Sequence, residues 1–191
     1  MSTGPVAGSD LPPPPDDPEA AAFWWFALAL YDRPHIGAQL LAWQDEAGAD
    51  VNMILLSCWL GAVRRRRLSA RSMTALMAAG RDWHERVVVP LRRVRRQAKI
   101  AGAGDGAPAA MAYQRLKAAE LAAEQVHQGQ LVRALPAQPA GPAAADAAAA
   151  VRDNLDAYSQ AAGLAEGCIA GRERHGLVTA TLATAERVPG G

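Results

Sequence analysis

Most of the features that give a function away are scarce in this chain. There are only two cysteines, Cys58 and Cys168, and their spacing fits no zinc or redox motif. Free thiols in a reducing compartment are the simplest reading, which points to the cytoplasm. Aromatic residues make up 5% of 191 residues, and the alternation of β-branched and aromatic residues expected of strands is missing. The longest purely apolar run, residues 20–31, falls short of the roughly 18–20 residues a membrane-spanning helix needs. The first nineteen residues contain no basic stretch followed by an apolar one, so no secretory signal is expected. No G-x-S-x-G elbow occurs, and the glycine run at 102–106 lacks the preceding strand and the Lys-Ser/Thr of a phosphate loop. No residue pattern calls for a cofactor or fixes an oligomeric state.

What the chain does have is alanine, 44 residues of it. Such an excess of the best helix former argues for an all-α protein. The expected architecture is a compact bundle of about five helices over 17–134. A disordered Pro-rich arm (1–16) precedes it, and an Ala/Pro linker (135–150) follows. A loosely attached C-terminal helical segment with its tail (151–191) completes the chain. All five tryptophans lie before residue 84, which places the core in the N-terminal half. The net charge is +1, but it is segregated. Residues 1–63 carry one Arg and eight acidic residues; residues 64–99 carry twelve Lys/Arg and two acidic residues.

Helix boundaries are well marked. Asp17-Pro18-Glu19 suits a helix start, and Pro34 ends that helix by disfavouring helical backbone at Arg33. A second helix runs from about His35 to Ala47, and Gly48 is a natural left-handed stop. Asp50 caps a third helix that is apolar nearly all round, the mark of a core helix; Gly61 ends or closely packs its last turn. Ser69 caps a fourth, whose stripe is Met73, Leu76, Met77, Gly80, Trp83, His84 and Val87. Pro90 kinks or restarts it. Beyond it Leu91, Val94 and Ala98 share one face, while Arg92, Arg93, Arg96 and Lys99 point elsewhere. Further helices are expected at about 110–135 and 146–162, with one short helix near 177–187.

The strings FWWFALALYDRP, LLAWQDEAGADVNMILLSCWLG, DWHERVVVPLRRVRRQAK and RLKAAELAAEQ together resemble an uncharacterised bacterial family of small helical proteins, known only as a domain of unknown function. The shared motifs run in order through Phe23-Trp24, Leu30-Tyr31, Gln44-Asp45, Gly48, Asp50-Val51-Asn52, Trp59-Leu60-Gly61, Val88, Pro90-Leu91-Arg92, Lys117 and Glu120-Leu121. They cover about residues 22–131. After Arg33-Pro34 the pattern has glycine where this chain has His35. The resemblance implies an all-α fold and no particular activity.

Three groups of residues are candidates for function. The first is the basic segment, Arg64, Arg65, Arg66 and Arg67 with Arg92, Arg93, Arg96 and Lys99. It could hold a polyanion, foremost an acidic protein, or an anionic membrane. Nucleic acid is disfavoured, because the arginines are not interleaved with exposed aromatics. The competing reading is an internal partner for the acidic N-terminal half. The second group is Gln44, Asp45, Asp50 and Asn52 near Trp59. It reads first as a helix–turn–helix brace in which Asp50 and Asn52 satisfy free N–H groups and Asp45 pairs with an arginine. The third is Glu120, Glu124 and His127. Glu124 and His127 have the i, i+3 spacing of a di-metal bundle site, but no second Glu-x-x-His accompanies them. His84, on the stripe of the fourth helix, reads as a satisfied core histidine, and Ser57 and Cys58 sit inside the core helix. The sequence favours a non-enzymatic interaction protein with a basic helical surface, ahead of a metal-binding or enzymatic bundle.

Overall fold

The computed structural model describes residues 11–104, 106–137, 144–165 and 167–187. Those residues form helices α1 (Pro18–Tyr31), α2 (Ile36–Ala47), α3 (Val51–Ala62), α4 (Ala70–Trp83), α5 (Val89–Ala101), α6 (Gly106–Arg133), α7 (Ala147–Ala162) and α8 (Gly171–Ala185). A π-helical turn, His84–Val88, joins α4 to α5. The all-α expectation holds. The disorder expected of the N-terminal arm falls largely on residues 1–10, outside the described residues, as does the middle of the Ala/Pro linker.

The caps form as their chemistry dictates. The Asp17 carboxylate accepts from the Glu19 and Ala20 amides. Asp50 accepts from Asn52, and Ser69 from Ser72. Gly48 closes α2 at φ +67°. The break after α1 takes a less ordinary form. His35 sits in the left-handed region at φ +68°, at the position where the resembled family pattern has glycine. A histidine can occupy that region, but its Cβ makes it costlier there than glycine.

Every residue of α3 is buried. Around it lie Phe23, Phe26 and Leu30 of α1, Leu40 and Trp43 of α2, and Met73 and Leu76 of α4. Burial of roughly 25 cal/mol per Å² of such apolar surface is the main drive to fold.

The C-terminal segment departs from expectation. It is no loose appendage: α7 packs along α3 more extensively than any other helix does. Val151, Leu155 and Tyr158 are all but fully buried in the core shared with α3. The contact is close because residue 61 is glycine; a Cβ there would lie 2.7 Å from Val151 Cα. Asn154 locks the joint. Its amide donates to the carbonyls of Ser57 and Arg66 and accepts from the Leu68 N–H. Val151, Leu155 and Tyr158 recur at helical spacing, but the tightness depends on a glycine notch ninety residues away. α8 is also longer than the expected 177–187 and contributes Leu177 and Val178 to the core.

Pro90 restarts the helix, by way of a wider turn. Proline cannot donate the hydrogen bond an uninterrupted α-helix needs. The backbone widens into the π-helical turn just before it, and α5 begins with Pro90 in its first turn. Such wide turns are frequent at functional sites.

Candidate functional site

The polar residues of the core gather at the N-terminal end of α3, where it meets the π-helical turn and α6. Asp50 divides its two oxygens. Oδ1 caps α3, while Oδ2 faces His84 Nδ1 at 3.5 Å and His127 Nε2 at 4.0 Å. The two imidazoles lie 5.0 Å apart, centroid to centroid. Tyr158 reaches in from α7 and accepts the Asp50 N–H at 2.6 Å. Neither imidazole–carboxylate approach is a hydrogen bond, and His84 Nδ1 is a buried nitrogen without a hydrogen-bond partner. The satisfied core histidine expected at position 84 is therefore not what is found. The π-helical turn aims its ring at Asp50.

His127 is held from behind. Its Nδ1 lies 3.2 Å from the Asn52 side-chain amide, and Asn52 in turn meets the Gln128 amide at 2.8 Å. Asn52, His127 and Gln128 are all buried. In front of Nε2 there is room because residue 80 is glycine. A Cβ on Gly80 would collide with Nε2 and lie 2.8 Å from Cδ2 of the ring. Burial holds the His127 pKa below the ordinary imidazole value, and neighbouring Asp50 opposes this.

One turn towards the N-terminus of α6 the chemistry changes to ion pairs. Arg92 of α5 binds Glu120 at 3.3 Å and Glu124 at 2.8 Å, and Arg95 also pairs with Glu120. The Arg92 and Glu120 side chains are 12% and 9% exposed, so this is an interior network. Burial raises the Glu124 carboxyl pKa, and the Arg92 guanidinium opposes the rise. Trp83 braces the same region by donating to the Ala123 carbonyl.

The expected groups are thus redistributed. Glu120 and Glu124 face arginines, whereas His127 faces Asp50 and His84. Arg92 lies inside rather than on a basic ridge, together with Arg95, which sequence reasoning left out. The arginine run is largely engaged at home. Arg64 pairs with Glu19 and lies over the Trp59 ring, and Arg67 pairs with Asp153. Arg65 donates to the Ala145 carbonyl and Arg66 to the Pro136 carbonyl. Arg96 pairs with Asp45, as the brace reading anticipated for that carboxylate, and Gln44 donates to Asp45 at the surface. Trp59 lies two turns along α3 from Asn52, against Phe23, and takes no part in the polar group.

What stays outside is the far end of the α5–α6 hairpin. No α5 residue is fully buried, and burial in α6 begins only at Glu120. Arg93, Lys99 and Arg115 are exposed there and make no ion pair among the described residues. Ile100 and Met111 are exposed beside them, at 78% and 54%. Residues 93–119 carry six Lys/Arg and one Asp.

A protein-family model described as "Protein of unknown function (DUF2390)" matches residues 22–131, which span α1 to nearly the end of α6. The chain belongs to that family. No curated protein and no solved structure matches it.

Proposed function

We propose that this member of a family of unknown function is a non-enzymatic interaction protein of the cytoplasm that presents the α5–α6 arm to an acidic protein partner. The observation that carries the reading is the arm itself. It stands away from the apolar core and leaves Arg93, Lys99 and Arg115 without carboxylate partners among the described residues, beside exposed Ile100 and Met111. Cations next to exposed apolar side chains suit a partner that is acidic and partly apolar. The cytoplasmic setting rests on the two free thiols, of which Cys58 is fully buried. The enzymatic or metal-binding alternative through Glu120, Glu124 and His127 has less support, because Arg92 and Arg95 already neutralise both carboxylates.

The test is what co-purifies with the chain at low salt, compared with the variant Arg93→Gln/Lys99→Gln/Arg115→Gln. An acidic protein retained by the wild type, released with rising salt and lost in the variant supports the reading. Retention on heparin or anionic vesicles with no protein partner would replace it with nucleic acid or a membrane surface.

A further inference from the structure

The group at the N-terminal end of α3 has an arrangement that neither a helix brace nor an interaction surface needs. Asp50, His84 and His127 come from the cap of α3, the π-helical turn and α6. One donor atom from each lies within 4.8 Å of the other two, and among the described residues this is the group of His, Cys, Asp and Glu side chains that can close around an ion. If the residues existed only to stabilise one another, the imidazoles would hydrogen-bond the carboxylate. They do not: the separations are 3.5 and 4.0 Å, and His84 Nδ1 is buried without a partner. Donor atoms about 2.0–2.1 Å from a tetrahedral ion stand about 3.4 Å from each other. The observed spacing reaches that value if each side chain moves by under about an ångström.

We infer that Asp50, His84 and His127 form a binding site for one divalent transition-metal ion of the zinc and ferrous class. The ligand set selects the class. Two imidazoles and one carboxylate suit zinc or iron(II), whereas calcium and magnesium take oxygen ligands. The surrounding residues fit the same purpose. A ligating histidine ordinarily anchors its other ring nitrogen through a hydrogen bond. His127 has this in Asn52, itself fixed by Gln128. As placed, the Asn52 amide nitrogen lies against Nδ1 and the Asn52 oxygen accepts from Gln128. Metal binding through Nε2 requires both side-chain amides to turn over. The Asn52 oxygen then accepts from Nδ1–H, and Gln128 Oε1, now buried without a partner, accepts from the Asn52 amide. Asp50 gives up only Oδ2, since Oδ1 and the backbone N–H are held by the cap and by Tyr158. Gly80 leaves space in front of Nε2 that any side chain would fill. Asp50 and His84 are 18% and 20% exposed, which gives the ion a way in, while His127 at 2% forms the floor. Three protein ligands leave one position of a tetrahedral ion for water or an incoming ligand atom.

The experiment uses the full chain without an affinity tag, stripped with chelator, and titrated with zinc by calorimetry and with cobalt(II) by visible absorption. One ion per chain is expected, with the d–d bands of four-coordinate cobalt and a melting temperature that rises with zinc. His84→Ala removes a side chain that makes no hydrogen bond, and Asp50→Asn keeps an N-cap. Both should keep the metal-free circular dichroism and melting temperature close to wild type. Since outer-shell changes cost about 10–100-fold in affinity, losing a ligand should cost at least about 100-fold. Cys168→Ala, in the separate cleft beside His35, Trp43 and Glu46, should bind as the wild type does. A wild type that takes up no ion at stoichiometric concentration overturns the proposal. So does wild-type affinity in both His84→Ala and Asp50→Asn, which would place the ion elsewhere.

Discussion

The two ends of α3 are built on opposite principles. At its C-terminal end, Gly61, Trp59 and Cys58 meet α1, α7 and α8 through apolar contact, and α7 comes so close that one added methyl group would strike its backbone. At its N-terminal end, Asp50 and Asn52 meet α6 and the π-helical turn through two imidazoles and buried amides, with the arginine–glutamate network one turn away. The apolar end tolerates no added volume, and its joint through Asn154 is hydrogen-bonded to the Ser57 and Arg66 carbonyls and the Leu68 N–H. Each end has a buried polar atom without a partner, Thr181 Oγ1 beside Cys58 and His84 Nδ1 beside Asp50, at a cost in stability. At the polar end that atom belongs to one of three ionisable side chains that converge, which marks it as the place to look for function.

The largest expected effect breaks the polar end. Arg92→Ala strips Glu124 of its partner and leaves Glu120 to Arg95 alone, so stability in denaturant titration should fall by about 3–5 kcal/mol. Arg93→Ala, one residue further on, should change it by less than about 0.5 kcal/mol. Equal losses in the two would mean that Arg92 is a surface residue after all. At the apolar end, Gly61→Ala should cost about 1–3 kcal/mol through overpacking against Val151, although alanine is the better helix former. A neutral result would show that α7 is held less closely than described. One effect runs the other way. His35→Gly relieves a left-handed backbone that histidine adopts at a cost, and should raise stability by about 1 kcal/mol in the same titration. A loss would mean that the His35 side chain makes a contact that outweighs the strain.

The apolar end was largely readable in advance. The apolar run of α3, the Met73, Leu76 and Gly80 part of the α4 stripe, the caps Asp17, Asp50 and Ser69, and the stop at Gly48 all report local chemistry, and all appear as expected. The polar end was not, for a physical reason. Asp50, His84 and His127 each have an adequate local explanation, as a cap, a core-stripe residue and a helix-face residue. Their meeting depends on the π-helical turn and on the crossing of α6 over α4, and neither follows from a 3.6-residue period. Two clues were present: Gly80 on an otherwise bulky stripe, and the polar pair His127-Gln128 on the inner side of α6. The arginines misled for the complementary reason. A helical projection separates faces but does not say which face meets carboxylates, so Arg92 and Arg95 face inwards while Val94 lies 45% exposed.

The claim that joins these observations is that His127 is held against the backbone of α4 at Gly80, with its Nε2 in a gap that only glycine leaves open. Gly80→Ala, followed by equilibrium denaturation, tests it most directly. Alanine in a helix interior should by itself add about 1 kcal/mol of stability. A net loss of about 1–3 kcal/mol is expected instead, because the new methyl group collides with the His127 ring, which Asn52 holds from behind, and crowds Leu131 as well. A Gly80→Ala protein as stable as the wild type, or more so, would contradict the account and place His127 elsewhere.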